Sequence, residues 1–101
     1  MLAENAEIFM SVIVHLSGHL KPFTGGEVEV SLSGEFATVG DVLDTLWEQH
    51  APLRDRVLNE QGEIRQHVNI FVGSDDAKRL KGLATKISSN DLHIFNAVSG
   101  G

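Results

Sequence analysis

Residues 27–47 read EVEVSLSGEFATVGDVLDTLW, and within them the apolar period changes once. From Glu27 to Leu32 apolar and polar residues alternate: Val28, Val30 and Leu32 share one face, and Glu27, Glu29 and Ser31 the other. A period of two is a half-buried strand. After Thr38 the spacing lengthens, and Val39, Val42, Leu43, Leu46 and Trp47 fall on one face of a helix. Thr38 is the expected N-cap, with Asp41 where a capping box places its acid. Trp47, at core spacing, is read as core. Pro52 stops the helix near His50, because the residue before proline is driven out of the helical region.

Toward the N-terminus, Ser11–Leu16 (SVIVHL) is a β-branched run with Val12, Val14 and Leu16 on one face. Ser17 to Gly26 holds Gly18, Pro22 and the Gly25-Gly26 pair, all turn residues. Two strands joined this way make a hairpin with one solvated face. Toward the C-terminus, Leu53–Leu58 has room for a short helical turn, and Glu60–Glu63 is a polar loop around Gly62. His67–Val72 (HVNIFV) is a third strand, with Val68, Ile70 and Val72 on one face and Asn69 and Phe71 on the other. Gly73–Asp76 is expected to turn, with a brief edge strand near Arg79 and Leu80. Ser88–Asp91 turns again, and Leu92–Phe95 (LHIF) is the last strand. One helix covers only one face of such a sheet. Hairpin, crossover helix and returning strands are the ubiquitin-like β-grasp arrangement, an α+β fold with a mixed sheet of four to five strands. Its first and last strands are expected to lie side by side, parallel, at the centre.

Composition bounds the function. A chain of 101 residues with 42% hydrophobic and 22% charged residues is one soluble domain with a core. No run approaches a membrane span. A net charge of −6 argues against nucleic acid and against an anionic membrane surface, and suits a partner with a basic docking surface. It equally keeps a small protein soluble. There is no cysteine, so disulfides, thiolate metal sites and thiol catalysis are excluded, and a cytoplasmic location is the default. Residues 1–10 are expected to be a flexible lead-in. The stretch Met1–Phe9 has two acids and no base, unlike a signal peptide. The domain is read over 11–96 and an extended tail over 97–101.

That tail ends Ala97-Val98-Ser99-Gly100-Gly101. Two glycines at a chain end have no packing role. After an apolar strand in this arrangement they give access: an activating enzyme threads the carboxylate through a narrow channel, where side chains would obstruct it. On these residues the sequence from about Ser11 to Gly101 resembles the ThiS/MoaD family of ubiquitin-like sulfur carriers. Val68-Asn69 resembles the family's Val-Asn strand, Leu83 to Asp91 its leucine and polar turn, and Ala97–Gly101 its Pro-Val-x-Gly-Gly ending. Leu20–Gly26, His67–Val72 and Gly82–Thr85 look most like the CysO branch, which serves a cysteine-forming pathway. Two positions depart from the pattern. Asn90 replaces a turn glycine, though asparagine tolerates the left-handed backbone. Asn96 replaces a proline.

The resemblance implies a carrier rather than an enzyme. A ThiF/MoeB-type enzyme would adenylate Gly101 with ATP, and sulfur would displace AMP to leave a thiocarboxylate. Gly100, Ser99 and Val98 would give access to the channel. The carrier would bind no cofactor itself, and a cysteine synthase-type enzyme would accept the sulfur. The same activated end would serve a ubiquitin-like modifier joined to lysines, or a MoaD-type small subunit of molybdopterin synthase. A third reading is a pure binding module whose Gly-Gly is incidental.

Other patterns are weaker. If Val68, Ile70 and Val72 face the helix, Phe71 and Phe95 share the open face as a partner-binding pair; the opposite strand phase would bury both rings. Five histidines raise a metal site, but His15 and His19 are four apart on a strand-to-turn segment, where that spacing does not converge. Gly25-Gly26 lacks the Lys-Ser/Thr of a phosphate loop, and Asp75-Asp76 lacks the alternating spacing of a calcium loop. Lys78, Arg79, Lys81 and Lys86 read as a solvated edge or as a contact for an acidic partner. No nucleophile-base set or paired carboxylates are present.

Overall fold

The computed structural model describes residues 9–96. Five strands form one sheet in the order β2-β1-β5-β3-β4. They are β1 (Phe9–Leu16), β2 (Glu29–Glu35), β3 (Val68–Val72), β4 (Asp75–Asp76) and β5 (Asp91–Asn96). β1 and β5 are parallel neighbours at the centre, and every other pair is antiparallel. One main helix, α1 (Val39–Gln49), packs on one face, and a single turn, α2 (Arg54–Val57), follows it. This is the β-grasp arrangement.

The alternation in the sequence sets which residues are buried. Val12, Val14, Val30, Leu32, Val68, Ile70, Val72, Leu92 and Ile94 leave the sheet on the helix side and are buried. They meet Val39, Val42, Leu43 and Leu46 of α1, with Leu53, Val57 and Leu58 closing the margin. Trp47 is only partly buried and packs against the edge of this cluster. The capping box forms in full: the Thr38 hydroxyl accepts from Asp41 N–H (3.3 Å), and the Asp41 carboxylate accepts from Thr38 N–H (3.1 Å).

Several local features differ from the sequence reading, each for a structural reason. β1 starts at Phe9 rather than Ser11, because Phe9 and Met10 pair with Glu35 and Gly34 of β2. Val28 was expected inside but is 38% exposed. The ladder ends at the pair His15–Glu29, and beyond it Val28 gives only its carbonyl, to Leu16 N–H (2.8 Å). The β1–β2 connection is not a bare turn. Gly18–Phe23 forms a 3₁₀ segment that buries Leu20, and the buried Thr24 hydroxyl donates to the Glu27 carbonyl (2.6 Å).

The edge strand lies at Asp75–Asp76, not near Arg79 and Leu80, where Ala77–Arg79 is instead a 3₁₀ turn. Gly73 at φ +58° lets Gly73-Ser74 close a two-residue hairpin, so Val72 pairs with Asp75. Asn90 does not take the left-handed backbone, since no described non-glycine residue has positive φ. It holds its turn with a side-chain bond instead, Nδ2 donating to the Ser11 carbonyl (2.7 Å).

Candidate docking face

The residues that alternate with the core line the open face of the sheet. β1 offers Ile13 and His15, β5 offers His93 and Phe95, and β3 offers Phe71. The parallel register sets His15 beside His93, and the antiparallel register sets His93 beside Phe71. Phe95 sits diagonally from Phe71, opposite Asn69. The result is a stripe of four rings across three strands. His15 and His93 stack with centroids 4.6 Å apart and planes 14° from parallel. Phe71 and Phe95 stack at 5.6 Å and 28°.

Both phenylalanines therefore lie where the alternation put them. Phe95 and Ile13 are each 37% exposed, and Phe71 is half-buried beneath its neighbour. Exposed stacked aromatics have a large apolar area to give to a partner at small conformational cost. Two carboxylates flank His15, one from β2 and one from β5. His15 donates Nε2–H to Asp91 Oδ1 at 2.9 Å, and its Nδ1 lies 3.7 Å from Glu29.

The histidines do not assemble a metal site. Among the described residues no three His, Asp or Glu side chains are grouped to hold an ion. His15 and His19 are separated by the strand end, and His15 is instead engaged with His93 and Asp91. Asp76 caps the turn after β4, accepting from Lys78 N–H (3.0 Å), and Asp75 beside it is exposed.

β5 ends at Asn96, at the end of the sheet that also carries Leu16 and Val68. Ser17 N–H donates to the Ile94 carbonyl (3.1 Å), tying the first loop to this end. There Arg56 lies 4.9 Å over the ring of Phe23. Val98, Ser99, Gly100 and Gly101 lie outside the described residues.

A five-stranded β-grasp sheet with an open aromatic face narrows the family, and sequence comparison decides it. The ThiS family model matches residues 14–101. The chain belongs to the ThiS family. Members of this family are small carrier proteins, not enzymes. Among its relatives, the sulfur carrier protein CysO of Mycobacterium tuberculosis is 36% identical over 95 residues, covering 91% of this chain and all of the relative. Small archaeal modifier protein 1 of Haloferax volcanii is 39% identical over 74 residues, covering 73% of this chain and 80% of the relative. In three dimensions the chain is similar to one in the crystal structure of the Amycolatopsis orientalis BexX/CysO complex. That match has a TM-score of 0.78 and 31% identity, and covers 89% of this chain and 99% of the other. This member of the family thus has both sulfur carrier proteins and modifier proteins among its relatives.

The sequence missed two parts of the face. The His15–His93 stack depends on the parallel β1–β5 register, which no local pattern encodes. Leu80, 56% exposed beside Phe71, had been assigned to an edge strand; its signal was an apolar residue set among four bases.

Proposed function

We propose that this protein is a sulfur carrier activated at the carboxylate of Gly101 by a ThiF/MoeB-type adenylating enzyme. The observation that carries the reading is the family match, which runs through residue 101 and so takes in the Gly-Gly pair. The carboxylate oxygen attacks the α-phosphorus of ATP and pyrophosphate leaves, giving an acyl-adenylate. Hydrosulfide then adds to the acyl carbon and AMP leaves, giving the thiocarboxylate. A protein persulfide reaches the same product through an acyl disulfide, which a second thiol must then reduce.

The carrier supplies no acid or base to these steps. Its share is positional: a folded body, a docking face at Phe71 and Phe95, and an arm whose last residues have no side chains beyond the Ser99 hydroxymethyl. The similarity to CysO favours a cysteine-forming pathway and a cysteine synthase-type acceptor. Having no thiol of its own, the chain holds sulfur only on its terminus, in keeping with a cytoplasmic site of action. No described helix is long and apolar enough to cross a membrane.

Intact-mass measurement of the protein purified from its own host tests the reading. The expected species carries sulfur in place of one terminal oxygen. A carboxylate end that stays unchanged on incubation with the host's adenylating enzyme, ATP and sulfide refutes it.

The similarity to small archaeal modifier protein 1 supports a second reading, conjugation of Gly101 to lysines of other proteins. Immunoblots against the carrier separate the two. A ladder of larger species marks a modifier, and a single free band a carrier. A MoaD-type partnership with a molybdopterin-synthase large subunit would appear as co-purification of that subunit.

A further inference from the structure

The basic residues of this acidic protein are unevenly placed. Four of its eight, Lys78, Arg79, Lys81 and Lys86, fall in the connection from β4 to β5, and residues 77–90 contain no acid. Lys78 is spent on the fold, its Nζ donating to the Gln66 carbonyl (2.8 Å). Arg79 is 87% exposed and approaches Asp76 only to 3.9 Å. Among the described residues no carboxylate lies within ion-pair distance of Lys81 or Lys86.

Leu80 stands at the centre of these cations and is the most exposed large apolar residue described, at 56%. It is a wall of two clefts. One continues to Phe71 and the open face, and the other runs past Lys81, Thr85 and Lys86. A single exposed leucine is ordinary on a protein surface. This one extends the ring stripe around the β4 edge, while Glu29 lies on β2 at the opposite margin and Asp91 on the central strand. Of the two clefts, the one toward Phe71 is lined by Asp75 and Asp76, and the other holds Leu80 among Arg79, Lys81 and Lys86 with no carboxylate in its wall.

We propose that Leu80, with Arg79, Lys81 and Lys86 around it, is a second anchor for the adenylating partner. It seats in an apolar socket bordered by carboxylates on that enzyme. This rests on the reading of the chain as a carrier activated by such an enzyme. The charges around the rim speed and orient the encounter, and the leucine holds the complex once formed.

The test uses the ThiF/MoeB-type enzyme of the protein's own host, immobilised without ATP, with the full carrier chain in solution. Leu80→Ser is expected to speed dissociation roughly 10-fold. Lys81→Glu combined with Lys86→Glu is expected to slow association about 10-fold at ~50 mM salt, the gap closing near ~0.5 M as the charges are screened. All of these sites are on the surface, so unchanged thermal melting verifies the fold of each variant. Parent-like kinetics in both variants overturn the proposal, as does failure of the enzyme to bind the parent chain. Thiocarboxylate formation at saturating enzyme is read separately by mass. Parent-like binding of Leu80→Ser with thiocarboxylate formed sinks the second anchor alone. Weakened binding of the variants with no thiocarboxylate on the parent sinks the carrier reading alone.

Discussion

Phe95 is a side chain that both the fold and the proposed docking use. Its ring is 37% exposed and touches the body mainly through the stack with Phe71. Loss of such a stack costs about 1 kcal/mol. Docking would bury the whole ring, and interface aromatics commonly cost 10-fold or more in affinity when truncated, of order 2 kcal/mol. Phe95→Ala is therefore expected to cost about 1 kcal/mol in urea unfolding and, in addition, to raise the carrier concentration needed for half-maximal ATP-dependent activation about 10-fold. Thr38 is the converse case, since it touches no proposed partner. Its hydroxyl satisfies Asp41 N–H at the start of α1, so Thr38→Ala is expected to cost about 1 kcal/mol in urea unfolding. Activation of that variant at saturating enzyme should be unchanged. A Thr38→Ala protein that unfolds at the parental midpoint would show that the cap does not limit α1.

The elements differ in how far they could be read from sequence, and the difference follows from period and partner. β1, β2, β3 and β5 each bury one face, so a one-residue slip would expose their valines and isoleucines, and alternation alone located them. α1 was equally legible, having an apolar stripe and a cap at Thr38. β4 has two residues and hence no period; it exists because Gly73 turns the chain back on β3. That dependence can be measured. Gly73 has φ +58°, and a Cβ there would lie 3.2 Å from both Cβ and Oγ of Ser89. Its N–H donates to the Asp91 carbonyl (2.9 Å), so the β3–β4 hairpin and the start of β5 are pinned at one point. Gly73→Ala is expected to destabilise by about 1–2 kcal/mol from the left-handed backbone alone. Amide exchange should rise first at Asp75 and Asp76, and a variant with parental stability and exchange would show that the turn relaxes freely.

At the scale of the whole molecule, the docking stripe was half legible. Phe71 and Phe95 followed from strand parity, whereas the His15–His93 stack and the approach of Leu80 to Phe71 arise from pairings between strands and loops far apart in sequence. The proposed reactive end is the reverse: plain in the sequence and outside the described residues. The proposed function divides the labour, with stability residing in the body and reactivity assigned to Gly101. Every described residue of the buried cluster lies between Val12 and Ile94. Deleting Gly101 should change unfolding free energy by less than about 0.5 kcal/mol, as for surface changes away from structural features. Adding one alanine after it should do the same. Both changes move the carboxylate by one residue, roughly 3.5 Å of extended chain, away from the position at which it would meet the α-phosphorus. A displacement of even 1 Å can cost 100-fold in a positioned reaction, about 2.7 kcal/mol, so both variants are expected to lose detectable ATP-dependent activation. Binding through the proposed anchors Phe71, Phe95 and Leu80 is expected to persist in both, making them competitive inhibitors of the parent carrier. Activation of either variant at the parental rate would place the reactive carbonyl somewhere other than Gly101.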